Sequence, residues 1–329
     1  MKIRKSVRFA AFALACAAVA LAQNQPEKAT VDPALGPPPG WAFAVGPANN
    51  PPSAADTTLR HVPGSTATFT PAQIVDRYHA VDWHPAGHPS MPEIVANGRK
   101  PDVFACGFCH LPNGQGRPEN SSLAGLPAEY IVRQMADFRG GQRKSSEPRL
   151  PPVNLMIGVA SKADEGEVRA AAEYFASLKP KEWIRVVETK TVSKTRVAGW
   201  MLVPTVGGEP IGDRIIETAV NLEQTELRND ASGFIAYVPV GSIAKGKALV
   251  TTGAGKTIPC NICHGSDLRG KNDVPSIAGR SPSYIVRQLY DIRSGSRAGT
   301  NTALMKPTVA KLTLDDMISI AAYTSSLHP

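Results

Sequence analysis

Thirty-eight residues of this chain occur twice. Cys106 to Arg143 align without a gap to Cys260 to Arg297, 154 positions later, and 16 of the 38 pairs are identical. The matches include Ala124-Gly125 with Ala278-Gly279, Tyr130–Gln134 with Tyr284–Gln288, and Asp137, Arg139, Gly141 and Arg143 with Asp291, Arg293, Gly295 and Arg297. Further on the offset becomes 149, pairing Tyr174, Ser177, Leu178 and Pro180 with Tyr323, Ser326, Leu327 and Pro329. Such a repeat commits the chain to building one unit twice. Each unit spans roughly 90 residues, small enough that a bound group would complete its core.

Each repeat is headed by Cys-x-x-Cys-His, as Cys106-Gly-Phe-Cys109-His110 and Cys260-Asn-Ile-Cys263-His264. This is the attachment signature of haem c. Two thiols about one helical turn apart add to the two vinyl groups of one porphyrin, and the adjacent imidazole meets its iron. The four cysteines are thus expected to form thioethers to two covalently bound haems, with His110 and His264 as proximal ligands. One four-cysteine zinc site fits less well, because the pairs lie about 150 residues apart and each has its own histidine. A redox dithiol would sit in a βαβ pattern, and none surrounds either motif.

Residues 1–22 read as a signal peptide: Lys2, Arg4, Lys5 and Arg8 precede an apolar run from Phe9 to Ala22 that ends in Ala-Leu-Ala. The run is too short to span a membrane, and a lipoprotein cleavage before Cys16 suits its context poorly. The expected compartment is the periplasm, and the mature chain has no transmembrane segment. Removing Cys16 leaves only the four motif cysteines, so no disulfide framework is expected. The formal charge of +8 includes the four signal-peptide cations, leaving 8 − 4 = +4. Four haem propionates offset most of that, and nothing supports nucleic-acid binding.

The periodicity predicts a mainly α protein. Short helices at about 92–96 and 243–251 precede the motifs. Helices over 127–138 and 282–292 follow them, and closing helices carry Val168, Ala171, Ala172, Phe175 and Leu178, then Met317, Ile320, Ala321, Thr324 and Leu327. Residues 23–69, rich in Pro, Ala, Thr and Asn, read as an extended or disordered arm. Thr70-Pro71 reads as an N-cap with Pro at N1, starting a helix through Tyr78. Residues 181–241, rich in Val, Ile, Thr and Gly, read as a strand- and turn-rich insert packing the two units together.

The sixth iron position separates carriers from catalysts. At the 149 offset Met156 falls opposite Met305, each expected in a loop before the closing helix. Two methionines in register with two haem motifs are the expected distal ligands, since a thioether suits haem iron and raises its potential. Met91, Met135, Met201 and Met317 lack this pairing and read as packing or surface residues. His79, His84 and His88 have no counterpart in the second repeat and read as structural or solvated. Arg133, Arg139, Arg287 and Arg293 recur on the middle helix and are candidate partners for haem propionates.

Together, CxxCH, Pro275-Ser-Ile-Ala-Gly279, Tyr284 to Leu289, the methionine segment and a closing Ala-Ala-Tyr helix resemble class I cytochromes c. The tandem arrangement resembles dihaem cytochromes of the c-four type over about 88–180 and 242–329. The resemblance implies two tandem cytochrome c domains, at 70–180 and 242–329, with His/Met ligation at His110 and Met156 and at His264 and Met305. It also implies that a Pro275 carbonyl accepts the proximal histidine's N–H; the matching position in the first repeat is Ser121. The insert is longer than the family's linker. The function implied is transfer of single electrons, with no substrate chemistry, from a dehydrogenase or quinol-oxidising complex to an acceptor such as a terminal oxidase. A tightly bound subunit of a periplasmic dehydrogenase complex is the alternative. A dihaem peroxidase-type enzyme fits less well, because paired methionines close both irons.

Overall fold

A computed structural model describes residues 33–47, 53 and 55–329. The signal peptide and part of the arm lie outside the described residues. The first repeat unit contains α1 (Pro71–Val75), α2 (Glu93–Ala96), α3 (Cys106–His110), α4 (Ala128–Arg139), α5 (Pro151–Lys162) and α6 (Glu165–Ser177). Residues 184–239 contribute β1 (Ile184–Thr189), β2 (Thr191–Ala198), β3 (Met201–Pro210), β4 (Ile216–Ala219), α7 (Leu222–Glu226) and β5 (Phe234–Pro239). The second repeat unit contains α8 (Ser242–Thr252), α9 (Asn261–His264), α10 (Pro282–Ser294), α11 (Lys306–Val309) and α12 (Leu314–Ser325). Among the described residues no helix is long and apolar enough to cross a membrane.

The repeat is visible in local chemistry. Capping boxes open both closing helices, Asp164 with Glu167 on α6 and Thr313 with Asp316 on α12, each satisfying two otherwise orphaned N–H groups. The matched Ala-Gly pairs have a steric reason. Gly125 and Gly279 hold positive φ, and a Cβ there would lie 2.9 Å from Pro180 and 2.7 Å from Pro329 respectively. Each glycine also donates to the closing helix, at Phe175 O and Thr324 O. The glycine and the terminal proline of each repeat are therefore one contact.

Each unit has its own core. Val95, Val103, Leu126, Ala172 and Phe175 centre the first, and Val250, Leu289, Tyr290, Met317 and Ile318 the second. The insert serves both: its sheet joins the second core, while its 225–230 stretch bonds to the first unit. β5 lies between β1, parallel, and β4, antiparallel. Its alternate residues Phe234, Ala236 and Val238 are buried, and Ala236 and Val238 join the second core. β2 and β3 form a separate hairpin.

Two expectations need correction and one is narrowed. The described residues 33–47 and 55–69 take the extended alternative and are packed on the fold: Phe43 lies edge-on against Tyr290 with centroids 5.5 Å apart, and Val62 joins Ile74, Val81 and Trp83 in a small core. Apolar anchors (Trp41, Phe43, Val62, Phe69) interrupt the polar composition and tie the segment down. The helix from Pro71 stops at Val75, because Asp76 turns extended and its carboxylate accepts from Tyr78 N at 2.9 Å. Met156 lies on α5 rather than in a loop. Pro151 and Pro152 occupy the first turn, where proline starts a helix instead of breaking one.

Candidate haem sites

In the first unit His110 is buried, and its ring stands edge-on to Phe175 with centroids 6.0 Å apart. Its Nδ1 donates to Ser121 O at 2.8 Å, which leaves the Nε2 lone pair available. Burial, with Arg143 adding to it and the Ser121 bond opposing, lowers the imidazole pKa to about 4. The second unit repeats the arrangement: His264 Nδ1 donates to Pro275 O at 2.8 Å, and burial again lowers the pKa. Ser121 O and Pro275 O are thus equivalent acceptors. A buried neutral imidazole with one nitrogen fixed by a carbonyl is the form that ligates a metal.

The residue after each motif takes positive φ, turning the chain away from the imidazole. The second repeat places Gly265 there (φ 89°) and the first Leu111 (φ 63°), which is buried and strained for a branched residue. Beyond it, Gly116 N and Gly270 N bond back to the carbonyls of His110 and His264 at 2.9 and 2.8 Å.

A mainly apolar cleft opens beside the first motif. Cys106, Cys109 and His110 line it together with Met156, Ile131, Phe138 and Val168. Burial pushes the Cys106 thiol up to about 12 and the Cys260 thiol up to about 11. A redox dithiol needs the opposite shift. All four motif cysteines are unbridged. In the second unit Met305 follows a 3₁₀ turn over Thr300–Leu304 and, like Cys260, packs against the second core.

The four repeat-matched arginines all have protein partners. Arg133 pairs with Asp273 at 3.1 Å. Arg139 donates to Ala160 O and Ala163 O at the end of α5, at 2.9 and 2.7 Å, and Arg293 donates to Leu312 O. Arg287 lines the cleft but spends its terminal nitrogens on Ala42 O and Pro118 O, at 2.8 and 2.6 Å. Arg133 pairs across the surface, and Arg139 and Arg293 close helix ends, so the propionate role expected of them competes with these bonds. Arg143 and Lys144 line the cleft instead. The signal for Arg143 was its match with Arg297. His79, His84 and His88 contact Asn97, Asp230 and Asp82 respectively, outside the cleft.

These residues fit a haem c. The cleft has apolar walls, two protonated thiols, a neutral imidazole and a thioether side chain. Arg143, buried, and Arg297, half-buried, form hydrogen bonds to tyrosine and glutamine side chains, and among the described residues neither has a carboxylate in an ion pair and Arg297 Nε has no hydrogen-bond partner. Two largely enclosed cations beside the motifs are what propionates would neutralise.

No family model matches the chain. Among curated proteins, cytochrome c-554(548) of Halomonas halodenitrificans is 39% identical over 75 residues, which are 22% of this chain and 90% of that protein. Cytochrome c4 of Azotobacter vinelandii is 24% identical over 228 residues, 68% of this chain and 84% of that protein. The thiosulfate dehydrogenase electron acceptor of Thiomonas intermedia is 26% identical over 217 residues, 65% of this chain and 74% of that protein. With two CxxCH motifs on one repeated helical unit, the chain belongs to the c-type cytochromes. Within them it is similar to the dihaem cytochromes c4, a likeness that supports an electron-transfer protein with two covalently bound haem c groups.

Proposed function

We propose that this protein is a periplasmic carrier of single electrons, built as two tandem class I cytochrome c domains (70–180 and 242–329) joined by the 181–241 insert, and exported by residues 1–22. His110 and Met156 would hold one iron, and His264 and Met305 the other. When bound, each iron supplies a one-electron couple. The observation that carries this reading is the pair of buried neutral imidazoles, each tied through Nδ1 to a main-chain carbonyl at 2.8 Å, with Met156 lining the same cleft as His110. Two closed His/Met irons suit outer-sphere transfer and leave no open position for substrate. The relative named as an electron acceptor of thiosulfate dehydrogenase supports a dehydrogenase as donor here. A quinol-oxidising complex is the other donor class, and a terminal oxidase the acceptor class.

A second reading, permanent association with a dehydrogenase, is favoured by exposed valines on and beside the insert's strands: Val206, Val220 and Val240. Co-purification of a second chain at stoichiometric yield separates it from the free carrier. For the carrier itself, the dithionite-reduced holoprotein is titrated with carbon monoxide while the Soret band is followed. No binding at either haem is the expected result. Stoichiometric binding at one haem would overturn the symmetric His/Met assignment.

A further inference from the structure

The repeat makes the two motifs equivalent in sequence, yet their surroundings differ. At matched positions Phe108 is 6% exposed and Ile262 is 65% exposed. Cys109 is half-buried where Cys263 is exposed. The first motif is capped by the loop that follows α7. Arg228 lies 3.5 Å over the Phe108 ring and donates to Phe108 O at 2.8 Å and to Ile74 O at 3.1 Å. Around it, Trp83 donates to Leu227 O at 2.8 Å and Asn113 to Asp230 O at 2.6 Å. A haem joined to Cys106 and Cys109 would have this loop between its thioether edge and solvent. At the second motif Ile258, Ile262 and Leu304 are exposed (43%, 65% and 76%). Thr257 Oγ1 donates to Thr308 O at 2.6 Å, joining both segments into one surface. Lys256 and Lys306 flank it, exposed; Lys256 also pairs with Asp316 at 2.5 Å.

We infer that the face formed by Ile258, Ile262 and Leu304 is the single port for electron exchange, and that it receives a redox protein presenting an apolar patch ringed by carboxylates. This rests on the carrier reading. With haem bound in both units, this face would let the second iron pass one electron, going from Fe(II) to Fe(III), to an acceptor reduced by one, and the first haem's electron would leave by the same port after re-reducing the second. The insert thereby makes a two-ended molecule one-ended.

The test uses the full dihaem protein, ¹⁵N-labelled, with the redox-inert trianion hexacyanochromate(III) as a paramagnetic probe. Amides at 256–263 and 303–306 should broaden, and those at 107–110 and 225–231 should not. Ile262→Asp with Leu304→Asp should abolish the broadening. At low ionic strength it should slow ferricyanide oxidation of both haems by roughly 3–10-fold and speed oxidation by cationic tris(phenanthroline)cobalt(III). A folding defect would not reverse sign with the charge of the oxidant. Val206→Asp, on the β2–β3 hairpin, should change neither. Equal broadening at both motifs, broadening confined to 225–231, or one haem oxidised at an unchanged rate would overturn the port. Carbon monoxide binding to the same wild-type sample would instead overturn the ligation, whatever the footprint.

Discussion

Arg143 and Arg297 face each other through a backbone bridge, and each reaches into the other's repeat. Arg143 donates to Tyr284 Oη at 2.8 Å and Gln288 Oε1 at 3.2 Å; Arg297 donates to Tyr130 Oη at 3.0 Å and Gln134 Oε1 at 2.9 Å. Subtracting the repeat offset turns one set into the other, so the two halves meet by a local two-fold relation. Arg143 also acts electrostatically on His110, and Arg297 on His264. The seam between the halves is therefore part of both haem environments.

Removing Arg143 should loosen that seam. Arg143→Ala removes a charged donor from Tyr284 Oη and weakens Gln288 and Gln134, costing about 2–3 kcal/mol for charge-assisted buried bonds. Tyr284→Phe alone should cost less. Urea unfolding of both singles and the double should give a coupling energy of about 1 kcal/mol. Additivity would mean the 2.8 Å bond contributes nothing to stability.

Arg228→Ala tests the cap on the first motif. Burial, reinforced by nearby Arg117, lowers the pKa of this guanidinium to about 9, so its position is costly and is held by Phe108 O, Ile74 O and the Phe108 ring. The variant should lose about 2–4 kcal/mol, as when a buried hydrogen-bonded charge is removed. Amides at 104–110 should exchange with deuterium roughly tenfold faster or more, while those at 260–264 keep their protection. Uniform loss of protection would mean the loop does not act locally.

Asp291 gives a pH signature. Burial raises its carboxyl to about 6, with bonds from Ser146 opposing; Ser146 N donates to it at 2.8 Å across the seam. The folded state therefore holds a proton that the unfolded chain releases at lower pH. Between the ordinary aspartate range and about 6, stability should fall as pH rises, by on the order of 2 kcal/mol. Asp291→Asn keeps an acceptor for Ser146 and should flatten that slope, as seen in midpoints of urea unfolding at pH 4 and pH 7.

Much of this was legible in the sequence, for definite reasons. The CxxCH spacing, the repeat and the helical periodicity of α4, α6, α10 and α12 act locally, so the sequence carries them directly. The β character of 181–241 followed from Val and Ile runs between glycines. What stayed hidden depends on contacts distant in the chain. The arm's seat on Tyr290 spans 247 positions from Phe43, and Arg228's place over Phe108 spans 120. For the repeated arginines the sequence leaves the role open, because a match between repeats marks a shared local role and does not say which one. Arg139 and Arg293 each donate to main-chain carbonyls, a task as repeatable as binding a propionate. Met156 lies on a helix because Pro151 and Pro152 take its first turn, which the 149 offset between the methionines does not reveal.

Met156 is the residue whose exchange says most about the first haem. It sits on α5 one turn before the core residues Val159 and Ala160, so the helix holds it at the wall of the cleft it shares with His110. Met156→His replaces a soft thioether by an imidazole and should keep the iron six-coordinate and closed to carbon monoxide. The potential of one haem should fall by roughly 0.1–0.2 V, a modest part of the about 0.8 V that axial ligation spans. The other haem should be unchanged in a spectroelectrochemical titration. Met156→Ala should instead admit one equivalent of carbon monoxide. If both variants titrate like the wild type and neither binds carbon monoxide, the sixth ligand of the first haem is another residue, and α5 is only a wall.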